Sequence, residues 1–159
     1  MPKMHDYSFI TIWKIKAPLN QVWDAIYKSE DWPNWWRGVL KVETISHGDE
    51  NDIGRMMHYT WKSVLPYKLK FDIISTQIEK PFVLQGDAIG ELEGTGRWEF
   101  LEKDGITTTK YFWDVTATKK WMKSLAPLLK PLFKWNHNVV MKWGAKGLAK
   151  KLNAELLQY

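Results

Sequence analysis

The chain contains no cysteine, which excludes disulfide bonds, a thiol nucleophile and any zinc site built on sulfur. It also has no run near the ~20 apolar residues that a bilayer-crossing helix needs. The opening stretch, MPKMHDYSFITIWKIKAP, lacks both the long apolar core and the small-residue cleavage signal of a secretory leader. Metal-ligand spacing is missing too, because His5, His47, His58 and His137 stand far apart, with no two at helix or hairpin spacing. The glycine-rich stretch GDAIGELEGTG sits in strand context, not at the strand-to-helix turn that cradles a phosphate. No internal repeat, low-complexity tract or linker divides the chain. These absences give the expectation of one soluble, cytoplasmic domain over residues 1–159, with no cofactor and no metal.

What is abundant is tryptophan. Eleven in 159 residues exceed what a compact core of this size normally uses, and tryptophan suits an apolar wall that also needs a donor. Net charge is +5, with much of the excess between Lys119 and Lys151. That could mean nucleic acid or anionic membrane, but a basic balance is usually just a solvated surface.

Periodicity then divides the chain. Ser8–Lys16 reads as a strand, and Ala17-Pro18 ends it. Asn20–Lys28 reads as a short helix with Asn20 as its cap, and SEDWPNWW as a second short helix or turn. From Val39 the period is two, giving strands at Val39–His47, Gly54–Lys62, Tyr67–Ile78, Pro81–Leu92, Glu93–Glu102 and Ile106–Thr118. Four glycines between Gly86 and Gly96 mark a bend or close approach in those strands. Toward the end Met141, Ala145, Leu148, Leu152 and Leu156 recur at steps of three and four, which predicts a long helix with one apolar face. Gly144 and Gly147 lie inside it although each costs about 1 kcal/mol relative to alanine, so something approaches the backbone there or space is kept open. The expected fold is α+β: a curved seven-stranded antiparallel sheet wrapped around a long C-terminal helix, with two short helices after the first strand.

The order of elements and the stretches APLNQVWDAIYKSEDWPNWW, GDAIGELEGTGRWEF, TKYFWDV and WNHNVVMKWGAKGL resemble the START-like helix-grip superfamily (SRPBCC), and within it the bacterial polyketide cyclase/dehydrase-like branch. The resemblance covers essentially the whole chain. It implies a deep hydrophobic pocket between sheet and long helix that takes lipids, sterols, polyketides or other apolar ligands. It does not imply one reaction.

Candidate residues follow from strand alternation and the helix face. Trp36, Tyr59, Trp61, Phe71, Ile73, Trp98, Tyr111, Trp113, Met141 and Leu148 are expected to form the ligand-binding wall, although the same residues would serve to fill a core. Polar groups placed near that wall are His58, Asp87, Glu91, Glu93, Arg97, Glu99, Asp114, Asn136 and His137. Acid-base catalysis would draw on His137 with Asn136, or on Arg97 with Asp114 across adjacent strands; the alternatives are a satisfied helix histidine and a solvated ion pair. In KKWMKSLAPLLKPLFKW, the residues Trp121, Leu125, Leu128, Leu129 and Phe133 alternate with lysines, and Pro127 and Pro131 are expected to break or kink the chain. That segment reads either as a lid that touches anionic membrane or as the packed start of the long helix. Nucleic acid is not expected as a partner, since no aromatic-basic strand surface accompanies the lysines. The oligomeric state is left open. Two functions fit: binding or transport of a hydrophobic small molecule, and cyclase/dehydrase-like catalysis in the same cavity. A third reading is a scaffold whose core is filled.

Overall fold

Strand β1 (Tyr7–Ile15) leads into α1 (Leu19–Tyr27) and a 3-10 segment (Ser29–Asn34) in a computed structural model that describes residues 6–159. His5 lies outside the described residues. Six strands follow: β2 (Val39–Ser46), β3 (Met56–Lys62), β4 (Lys68–Glu79), β5 (Val83–Gly90), β6 (Leu92–Lys103) and β7 (Ile106–Ala117). The chain then forms α2 (Lys120–Ser124), α3 (Ala126–Lys151) and β8 (Leu156–Gln158). All eight strands join one antiparallel sheet in the order β2-β3-β4-β5-β6-β7-β1-β8. This is the helix-grip arrangement, with one strand more than the seven that periodicity predicts.

The sheet is built by alternation. On β1, Tyr7, Trp13 and Ile15 are buried while Ile10 is 68% exposed. On β6 and β7 the buried positions are Leu92, Trp98 and Phe100, and Thr107, Thr109, Trp113, Val115 and Ala117. One face therefore carries the core, and α3 lies across it. The α1 helix seals one end through Leu19, Val22, Trp23 and Ile26, with Trp23 edge-on to Phe100 at 5.2 Å. The 3-10 segment is pinned to it by Trp32, whose Nε1 donates to the carbonyls of Ala25 and Ile26.

Three local expectations are corrected. The cap of α1 is Pro18, not Asn20, and no side chain bonds the helix end; the Pro18 carbonyl instead accepts from Gln21 and Val22. The long helix stops at Lys151 with Leu152 as its cap, still packed against the core, so only Leu156 leaves its apolar face. Asn153 takes a left-handed conformation, φ 49°, which ends helices and turns the chain back to pair β8 with β1. Pro127 does not break α3, because it sits in the first turn, where its missing N–H costs no hydrogen bond. The interruption falls at Leu125, between α2 and α3.

The helical glycines are explained by the loop that precedes β2. A Cβ on Gly144 would stand 2.4 Å from Cε2 of Trp36, and one on Gly147 only 1.8 Å from the carbonyl oxygen of Trp35. Any larger residue would hold α3 away from these two tryptophans.

Candidate functional site

Between the concave face of the sheet and α3 lies a cavity of about 140 Å³. Inward strand positions supply Phe9, Trp61, Leu69, Phe71, Trp98, Tyr111 and Trp113; the 3-10 segment and its exit supply Trp32 and Trp36. Phe133, Asn136, His137, Val140 and Met141 come from α3, and Met122 from α2. Trp36 is the centre of the wall, 2% exposed, with ring centroids of Trp32, Trp61 and Trp13 at 4.9, 5.2 and 5.5 Å. Its Nε1 donates to the Val140 carbonyl at 2.9 Å, tying the wall to α3.

This apolar wall carries four buried polar atoms with no hydrogen-bond partner among the described residues: the Tyr7 hydroxyl, Trp61 Nε1, Asn136 Oδ1 and His137 Nε2. Buried polar groups are seldom left so, because each costs about 1–3 kcal/mol. The His137 ring stacks on Phe9 at 4.2 Å, 14° from parallel. Burial disfavours its cation and pulls its pKa from 6.5 down to about 4, so at neutral pH the imidazole is uncharged. Desolvation also pushes Tyr67 up to about 12 and Tyr111 well above the usual phenol value. Among the described residues, no carboxylate lines the cavity.

A second cavity of about 100 Å³ lies behind the first. Ile26, Tyr27, Ser29, Arg55, Tyr59, Ile73 and Ser75 line it, and it shares Trp32, Trp61, Phe71, Trp98 and Tyr111 with the first. Gly86 and Gly96, cross-strand partners on β5 and β6, also line it, with Ile73 packed over the first and Tyr111 and Trp113 over the second.

The structure distributes the predicted residues as follows. Trp36, Trp61, Phe71, Trp98, Tyr111, Trp113 and Met141 line the main cavity, and Tyr59 and Ile73 line the second. Leu148 is buried but reaches neither. Of the polar candidates only Asn136 and His137 face a cavity. Arg97 and Asp114 are corrected, since they alternate with buried Trp98 and Trp113 and so lie on the other face of the sheet. There Arg97 is bonded to Glu99, Gln77 and Gln85, and Asp114 stands across from Thr95. His58 likewise pairs with Asp72 away from the cavities. Among the lid residues Phe133 lines the main cavity, while Trp121, Leu125 and Leu128 are exposed, Leu128 to 77%. Trp121 meets Tyr67 edge-on at 5.5 Å.

Sequence reasoning missed Tyr7, Trp32, Tyr67, Met122 and the group around Arg55. Tyr7 shares the parity of Trp13 on β1, so extending that alternation would have found it. Arg55 precedes β3 and no periodicity covers it.

The family described as polyketide cyclase/dehydrase and lipid transport matches residues 15–140, and the chain belongs to that family. Its fold is that of several solved structures. The TTHA0849 protein of Thermus thermophilus is 14% identical, with a TM-score of 0.73 over 91% of this chain and 99% of that one. A START superfamily protein of Mycobacterium smegmatis is 10% identical, with a TM-score of 0.74 over 92% and 97%. The Zhui aromatase/cyclase of Streptomyces sp. R1128 is 9% identical, with a TM-score of 0.71 over 92% and 93%. No curated protein sequence matches. Among the described residues, no helix is long and apolar enough to cross a membrane.

Proposed function

We propose that the protein binds a hydrophobic small molecule beneath α3 and carries it without chemical change. The observation behind this reading is the cavity wall, aromatic and free of carboxylates, with four unpaired polar atoms. A ligand gains about 25 cal/mol for each Å² of apolar surface it buries there. Its own oxygen or nitrogen then pairs with groups that are otherwise orphaned. His137 suits this role as a neutral hydrogen-bonding group. A conjugate acid near 4 makes it a weak base at neutral pH, whereas proton abstraction is best served by a pKa near the working pH.

One observation favours a cyclase/dehydrase-like enzyme instead: Asn136 Oδ1 and His137 Nε2 are both unpaired in the cavity, as groups that meet a reacting substrate would be. Arg97 and Asp114 take no part in either reading. The lid is α2 with the first turns of α3. Its exposed Trp121, Leu125 and Leu128 among Lys120, Lys123 and Lys130 suit contact with an anionic membrane surface. A cytoplasmic location completes the proposal and is supported by the lack of cysteine.

Native mass spectrometry of protein purified without detergent, followed by solvent extraction, tests the carrier reading. The expected result is one bound small molecule, recovered unchanged after incubation and still bound by His137→Ala, with Arg97→Gln as an unaffected control. Conversion to a dehydrated or cyclised product that His137→Ala abolishes would replace the carrier with the enzyme.

A further inference from the structure

We infer that the second cavity is an acid subsite, so that the ligand is an apolar carboxylic acid whose body fills the main cavity and whose carboxylate is held by Arg55. This rests on the hydrophobic-ligand reading above and narrows it to one chemical class.

Size is the first argument. A dry cavity of about 150 Å³ takes a single benzene ring, and the main cavity is about 140 Å³. Any longer molecule needs more room, and the nearest room is the second cavity. The two share the side chains of Trp32, Trp61, Phe71, Trp98 and Tyr111, with Trp98 stacked on Tyr111 at 4.3 Å. A ligand that spans both cavities passes between these shared rings, which must turn aside to admit it. Gly86 lets Ile73 close over β5 on one side of that room, since a Cβ there would stand 2.5 Å from Cγ2 of Ile73.

Chemistry is the second. The polar groups of the main cavity are uncharged, but the second is lined by a permanent cation. Arg55 Nε is buried and has no hydrogen-bond partner among the described residues. Its guanidinium lies 4.7 Å over the Tyr27 ring, and Nη1 is 4.0 Å from the Asp52 carboxylate. Asp52 in turn accepts from the Tyr27 hydroxyl. Asp52 is thus shared and distant, and Nε remains available for a charge-assisted bond. In the same cavity Ser29 Oγ accepts from the Tyr59 hydroxyl at 2.9 Å, which leaves the serine proton to donate to a second carboxylate oxygen. A carboxylate accepts from both through two oxygens and meets the cation with a charge-assisted bond; an alcohol offers one neutral oxygen, and a hydrocarbon end leaves the Arg55 Nε–H buried and unpaired. Arg97, by contrast, spends its Nε on Glu99.

The test uses the whole chain with decanoate and, as its uncharged match, decanol, both below micelle-forming concentration. Tryptophan fluorescence gives affinity, and the Nε–Hε signals of the three arginines in a proton–nitrogen NMR spectrum report the contact. Decanoate is expected to bind about tenfold tighter than decanol or better, and to shift the Arg55 signal, identified by its loss in Arg55→Lys. Arg55→Met should bring decanoate down to the affinity of decanol and leave decanol unchanged. Equal binding of both ligands with an unmoved Arg55 signal overturns the acid subsite and leaves the hydrophobic cavity standing. Binding of neither ligand overturns the cavity reading as well. If Arg55→Met does not fold, the acid-alcohol difference and the Arg55 shift in the unsubstituted protein decide alone.

Discussion

Replacing Gly144 with alanine sets helix propensity against packing, and the structure predicts which wins. Alanine in a helix interior is favoured over glycine by about 1 kcal/mol. Against that, the new Cβ would stand 2.4 Å from Trp36 Cε2 and 2.7 Å from both Cζ2 and Nε1. The indole cannot step aside, because Trp13, Trp32 and Trp61 bound it. Inserting a methyl into such a core costs about 1–3 kcal/mol. Displacing Nε1 from the Val140 carbonyl adds about 1 kcal/mol. The balance is a net loss of roughly 1–3 kcal/mol, which for a chain of this size lowers Tm by roughly 2–10 °C. Scanning calorimetry of Gly144→Ala measures it, with Lys142→Ala on the exposed side of α3 as the matched helix control. An alanine variant as stable as the parent, or more so, would refute the seating of α3 on Trp36.

Two further outcomes follow from the same site. His137 has its pKa lowered from 6.5 to about 4 by burial, so the unfolded chain takes up its proton first as pH falls. The stability this confers is complete above about 6.5 and is lost as pH drops toward 4; urea titrations should show a decline on the order of 2–3 kcal/mol across that window, much reduced in His137→Leu. For the lid, sedimentation with phosphatidylserine vesicles should fall several-fold for Trp121→Ala and Leu128→Ala while ligand affinity in solution holds. Vesicle binding that is absent or indifferent to both changes removes the membrane contact.

Sequence pattern reached far into this fold because strands of seven to twelve residues repeat their period several times between turn residues. It failed where repetition was too short or misleading. Three residues of β8 hold no period, and Leu156 continues the helical spacing by coincidence after Asn153 has turned the chain. Alternation also carried a correction within itself: Trp98 and Arg97 are consecutive in one strand, as are Trp113 and Asp114, so an inward tryptophan already places its neighbour outside. The second cavity was beyond reach of any pattern, because it depends on how five aromatic side chains settle against one another.

The strand order has a consequence for how the chain is made. β1 is synthesised before the other described strands, yet its neighbours are β7 and β8, the last two of them. Trp36 is likewise capped by a carbonyl 104 residues further on. Pairings this distant in sequence form slowly, so a nascent chain carries Trp13, Trp32 and Trp36 uncovered until α3 arrives. Sticky surface of that kind on an unfinished chain attracts chaperones and other nascent chains alike. The closure that gives the protein its enclosed interior therefore makes biogenesis, more than equilibrium stability, its vulnerable stage.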